Sequence, residues 1–255
     1  LIPKPFPVVR VTENIEPVSV RQVDDFKVIW DMGQNMVGRP RLNLPLREGK
    51  AVTLRFAEAL NPDGSMHTKN YRSAKSTDRV ISSKTGLFEW VPTFTFHGFR
   101  YVELTGGGLD PETEPTTGWV TGEVLHSDLE RTGHFTSSHE KLNQLQSNIV
   151  WGQRGNFLDI PTDCPQRDER CGWTGDAQVF APTSMFNYNA HAFWKSWLGS
   201  VRDEQLPDGQ VPHIVPDILG KAGSPGWQDA ATLIPWHVYV RTGDEEMLSE
   251  NYEMM

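Results

Sequence analysis

Residues 159–180 read DIPTDCPQRDERCGWTGDAQVF and hold five carboxylates, with Asp163, Asp168 and Glu169 close together and Asp176 following. Arg167 and Arg170 are mixed among them, and Trp173 lies between Gly172 and Gly175. A carboxylate crowded by like charge and partly desolvated has its pKa raised, as a general acid requires. Ionised neighbours and a forked arginine hold sugar hydroxyls, while an indole offers a stacking surface to the apolar face of a sugar. Carboxylates, arginine and tryptophan together point to carbohydrate chemistry. The competing reading is a solvated network in which the arginines neutralise the acids. Against it, the charges alternate with Pro, Cys, Gly and Trp, which favour packed or tightly turned settings. A metal site is the rival functional reading, but no histidine lies near enough in sequence to complete a usual ligand set; no metal or organic cofactor is implied. Cys164 and Cys171 lack zinc-knuckle spacing and read as small packed thiols.

Such a stretch needs a rigid setting. Pro161 and Pro165 restrict the backbone, the two glycines permit tight turns, and Gly175–Asp176 reads as a helix start with its acid at the favourable end of the dipole. The surrounding chain is helical from Ser137 on. Ser137 and Glu140 form an expected capping box, and Leu142, Leu145 and Ile149 share one face. A second helical stretch runs from about Gly175 to Arg202, a third from about Ala230 to Val240, and a fourth begins near Asp244. Helices joined by long Pro- and Gly-rich loops suggest the start of an α/α toroid. Before residue 126 the pattern is β: short alternating runs, such as Pro40 to Leu46, separated by turn signals such as Asn61 to Gly64. Phe94, Phe96, Phe99 and Tyr101 alternate as sandwich core would. His97 and His213 read as structural histidines. The expected architecture is an antiparallel β-sandwich followed by the N-terminal part of an (α/α)6 toroid. The expected division is 1–20 as the tail of a preceding β domain or a linker, 21–128 as the sandwich, and 129–255 as the helical part.

Composition narrows the function. The 255 residues are 37% hydrophobic and 22% charged, with a net charge of −9 and no basic run, which argues against nucleic acid or an anionic membrane as partner. No apolar stretch approaches the roughly 20 residues of a membrane-spanning helix. The opening on Leu1 and the close on NYEMM suggest a piece of a longer chain, so the compartment is left open.

The stretch DCPQRDERCGWTGDAQ at residues 163–178 resembles the signature of bacterial and fungal α-L-rhamnosidases, glycoside hydrolase family 78. The segments DMGQNMVGRPRLNL, FAEALNPDGSMHTKNYRSAKSTDRV and FTFHGFRYVELTG are similar to the β-sandwich domain before that family's catalytic domain, and PGWQDA at residues 225–230 to its next active-site loop. The resemblance implies Glu169 as the general acid; Asp163, Arg167 and Asp176 as holders of rhamnose hydroxyls; Trp173 as pocket wall; and Trp227 and Asp229 as a further pocket segment. It implies inversion at the anomeric carbon, with acid and base roughly 6.5–9.5 Å apart and the base C-terminal to Met255. The expected activity is removal of terminal α-L-rhamnose, with a rhamnosylated glycoside or oligosaccharide as partner and a homo-oligomer left open. A non-catalytic carbohydrate-binding module and a toroid glycosidase of other sugar preference are the alternatives. Helices without later partners are further expected to expose an apolar patch containing Trp194, Trp197 and Trp236.

Overall fold

The structure, a computed structural model, describes residues 7–109, 113–220 and 223–255. The chain divides into two compact units. Val11–His126 and Pro165–Asp168 form the β unit, whose outer strand ends reach Val9 and Ser127; the helices belong to the second unit, Ser127–Cys164 and Glu169–Met255.

In the β unit, β1 (Val9–Ile15), β2 (Ser19–Asp24), β3 (Lys27–Leu46) and β4 (Ala51–Ala57) precede a two-residue pair, β5 (Ala59–Leu60) and β6 (Met66–His67). Then come β7 (Thr77–Ile81), β8 (Gly86–Trp90), β9 (His97–Thr105) and β10 (Val120–Ser127). The expected sandwich is realised as one curled antiparallel sheet in the order β1-β10-β3-β9-β4-β7, with β2 and β8 also pairing β3. The 20-residue β3 is its spine, meeting β2 and β9 along its first part and β10 and β8 along its last. Its pairing with β9 breaks between Asp31 and Met36, where Gly33 takes φ +74. A residue with a Cβ is strained there. Beyond the break Leu42, Leu44 and Leu46 are buried while Arg41 and Asn43 face out, the alternation expected of a half-buried strand.

Two expectations fail in this unit. The stretch 1–20, read as a tail or linker, contributes β1 and the start of β2 to the sheet, although Leu1–Phe6 lie outside the described residues. Phe94 is not core: it is fully exposed, at φ +60, because it sits in the loop before β9 rather than on the strand. Phe99 alone of that alternating set is fully buried.

The helical unit contains α1 (Glu140–Asn156), a tight pair β11 (Phe157–Leu158) and β12 (Ile160–Pro161), α2 (Thr174–Asn187), α3 (His191–Glu204), α4 (Ala230–Thr242) and α5 (Glu245–Asn251). The stretch expected as one helix from Gly175 to Arg202 is two, interrupted at Tyr188–Ala190. The expected capping box does not form: His139 is the N-cap of α1, and Ser137 bonds instead to the Asn143 side chain through its N–H, at 2.8 Å. Leu142 and Leu145 are exposed, and α1 buries Val150, Gln153 and Gly155. Tertiary packing outweighs a short apolar period here.

The core of this unit is aromatic. Phe157 stacks on Phe193 at 4.2 Å and meets Trp194 edge-on, and Trp194 meets Trp197 edge-on at 5.8 Å. Trp194 donates from Nε1 to Ser184 Oγ and Trp197 to the Val215 carbonyl, so both buried indoles are satisfied. Trp194 and Trp197 are therefore not part of an exposed patch, because α3 turns Trp194 onto β11 and α2 and Trp197 onto Trp194 and the Val215 carbonyl. Trp236 does face solvent, at 49% exposure.

Candidate active site

The acidic stretch leaves β12 and enters α2. Asp163 Oδ1 accepts the Cys171 N–H at 2.9 Å, and the Asp163 N–H donates to the Cys171 carbonyl at 3.1 Å, so residues 163–171 close into a loop on themselves. The Cys171 thiol donates to the Glu169 carbonyl. This fold brings a carboxylate oxygen of Asp163, one of Glu169 and the Cys164 sulfur within 4.8 Å of one another. A thiol with two carboxylates and no histidine is not one of the usual sets for a resident metal. Desolvation, then the charges of Asp163 and Glu169, push the Cys171 thiol up.

Asp176 sits in the first turn of α2. Although it keeps contact with solvent, desolvation and then the charge of Asp163, with a smaller push from Glu169, raise its carboxyl above the ordinary value. Asp163 and Asp176 line a cavity of about 540 Å³ whose other walls include Phe157, Phe180, Ile149 and Val179.

Asp168, the residue before Glu169, is held within the β unit. It belongs with Arg167 to the segment Pro165–Asp168 of the β unit, and its Oδ2 accepts the Ser73 hydroxyl at 2.6 Å and the Ser73 N–H at 3.3 Å. The Ser73 hydroxyl bond, with help from its N–H and the charge of Arg72, holds the Asp168 carboxyl below its ordinary value.

Two tryptophans stand over the helix start. Trp173 is the residue before α2 and bridges to Ile214. Trp227 lies in the PGWQDA turn, 40% exposed, and rests on Gly175, where a Cβ would come 3.0 Å from its Cδ1 and Nε1. Gln178 donates from its side chain to the Gly226 carbonyl, fixing the same turn. Asp229 accepts the Gly226 N–H at 3.2 Å, so its carboxylate closes the turn that carries Trp227. His213, set aside by sequence, stands between the indoles, with ring centroids 6.4 Å from Trp173 and 5.7 Å from Trp227. Nothing local in VPHIVP signals this; the pairing of residues 213–215 with 172–174 creates it. His97 is the structural histidine expected, stacked on Phe56 at 4.0 Å with Nε2 3.1 Å from both Asp78 oxygens.

Residues 130–255 match the family model described as bacterial α-L-rhamnosidase 6 hairpin glycosidase domain, and residues 21–126 the one described as bacterial α-L-rhamnosidase concanavalin-like domain. An α-L-rhamnosidase of Formosa agariphila is 60% identical over 229 residues, 89% of this chain and 24% of the relative. One from Alteromonas sp. is 49% identical over 256 residues, 100% of this chain and 28% of the relative. The crystal structure of Streptomyces avermitilis α-L-rhamnosidase complexed with L-rhamnose superposes with a TM-score of 0.94 at 41% identity, covering 100% of this chain and 24% of that one. The chain thus spans about a quarter of the length of the curated relatives it matches. With its sheet and its helices matched in order by two models of one family, the chain belongs to the bacterial α-L-rhamnosidases.

Proposed function

We propose that this chain forms part of a glycoside hydrolase that removes terminal α-L-rhamnose with inversion, and that Glu169 is its general acid. The observation that carries this reading is the meeting of Asp163 and Glu169 within 4.8 Å, with Asp163 and Asp176 lining a cavity of about 540 Å³. That volume suits a monosaccharide-sized ligand. Glu169 gives its proton to the glycosidic oxygen as the bond to the anomeric carbon breaks. Water adds from the opposite face and loses its proton to a second carboxylate. Asp163 and Asp176 hold hydroxyls, joined by Arg167, two residues before Glu169 in the motif. Trp173 and Trp227 supply aromatic walls. Asp229, engaged by its own turn, supports Trp227 rather than serving as the base, which we place in a later part of the toroid. We also propose 128/129 as the boundary between the two domains.

A carbohydrate-binding module has no need of a proton donor among crowded acids, which favours the enzyme. A panel of nitrophenyl glycosides assayed with a full-length enzyme carrying these residues tests the reading. Turnover of the α-L-rhamnoside alone is expected. Binding without turnover, or turnover of glucosides instead, would sink it.

A further inference from the structure

We propose that His213 is a positioning residue that sets the spacing of the two tryptophan walls, Trp173 and Trp227. The proposal rests on the reading of those indoles as the walls of the rhamnose pocket. His213 joins two segments that are far apart along the chain. Its backbone carbonyl accepts the Thr174 N–H at 2.9 Å and the Thr174 hydroxyl at 3.0 Å, and Val215 donates to the Gly172 carbonyl at 2.9 Å, so residues 213–215 clamp the backbone on both sides of Trp173. Its side chain reaches the other way. Nε2 lies 2.8 Å from Ser224 Oγ, and the Ser224 carbonyl accepts the N–H groups of Trp227 and Gln228, both at 3.1 Å. Ser224 therefore opens the turn that presents Trp227, and His213 holds it there.

The ring fills the space between the indoles as well. It lies edge-on to Trp227 at 79° and tilted to Trp173 at 57°, a geometry in which the positive edge of one ring meets the negative face of another. One residue thus fixes both tryptophans, through its carbonyl bond to the backbone after Trp173, its ring bond to the Ser224 hydroxyl before Trp227, and contact with both indoles. Neither ring needs His213 to touch the sugar; the histidine acts through them. An aromatic wall held at fixed spacing before the sugar arrives loses little freedom on binding, so its support contributes to affinity.

The test uses a full-length enzyme carrying these residues, with L-rhamnose as the probe of binding and an aryl α-L-rhamnoside as substrate. For His213→Ala, the rhamnose inhibition constant and KM are expected to rise about tenfold while kcat falls less than about threefold. Quenching of tryptophan fluorescence by L-rhamnose should shift to the same higher concentration. A merely structural role would lower the melting temperature and the fraction of active enzyme, leaving KM and the inhibition constant of the folded molecules where they were. An inhibition constant within about twofold of wild type overturns the proposal. If His213→Ala fails to fold, Ser224→Ala decides: it removes only the hydrogen bond and is expected to raise KM about threefold, and no change overturns the proposal. If the wild-type enzyme itself neither binds L-rhamnose nor turns over the rhamnoside, the pocket reading fails first and the inference falls with it.

Discussion

In the β unit Glu123 lies between Arg39 and Arg41 and Asp31 is gripped by Arg100, whereas in the helical unit Asp163 lies close to Glu169 and lines a cavity together with Asp176. Arg39 Nε donates to Glu123 at 2.7 Å, Arg41 Nε at 2.8 Å, and Arg100 holds Asp31 through two bonds of 2.7 and 2.8 Å. Burial alone would raise both acids, but the arginine bonds reverse this and hold them below their ordinary values. At Asp176 nothing reverses it: desolvation and like charge push the carboxyl up. Glu123 and Asp31 are therefore satisfied partners that support the sheet, whereas the charge on Asp176 is opposed by desolvation and by its acidic neighbours. A carboxyl raised by burial and like charge is a mark of a candidate functional site.

The sharpest way to break this contrast is Glu169→Gln. On rhamnosides with poor leaving groups, kcat is expected to fall about 10³-fold, and much less on substrates with activated phenolate leaving groups, which need little proton donation. Equal losses on both classes would show that Glu169 is not the acid. Asp168→Asn is the internal control: with its carboxylate on Ser73, it should leave the leaving-group dependence unchanged.

The next effect is thermodynamic. Glu123→Gln leaves two arginines facing a neutral amide in a site where the glutamate side chain is 3% exposed. Because the Arg41 side chain is half exposed and water can take over part of its role, the expected loss is about 2 kcal/mol at neutral pH, read from denaturant unfolding. A group whose folded pKa is depressed contributes stability above its unfolded value, near pH 4.3 for Glu, and loses it as pH falls through the folded value. The gap between variant and wild type should therefore close in acid. A gap that persisted there would show that the pair is not what stabilises the sheet.

The smallest effect carries the opposite sign. Asp176 is raised, so its ionised form is less favourable in the folded protein, and stability falls as pH climbs from the unfolded value near 3.9 through the raised one. Asp176→Asn should make the enzyme slightly more stable than wild type at neutral pH, with no gain in acid, while raising KM for rhamnosides. Loss of stability at neutral pH would place Asp176 with the paired acids of the sheet and erase the contrast.

Much of this could be read from the sequence because the informative residues are close along the chain. The acidic loop, its glycines and the start of α2 depend on neighbours within twenty residues, and the alternation in β3 reports burial directly. What could not be read depends on contacts distant in sequence. Ser73 meets Asp168 across 95 positions, which no spacing rule reveals. His213 gains its place only when residues 213–215 pair with the loop before α2. The exposed Leu142 and Leu145 misled in the other direction, since a short apolar period says which face could be buried and not which face is.

Gly175 carries a consequence for how such a site changes over evolution. The Trp227 indole comes to rest against a bare α-carbon, and a methyl group there would stand 3.0 Å from two of its ring atoms, so the neighbour would have to give by a few tenths of an ångström. The ring works as a lever whose pivot is its own Cβ, and a small displacement near the five-membered ring becomes a larger one at the far edge. The shape of the proposed sugar pocket can therefore drift through a residue with no side chain of its own, while every group proposed to touch the substrate stays the same.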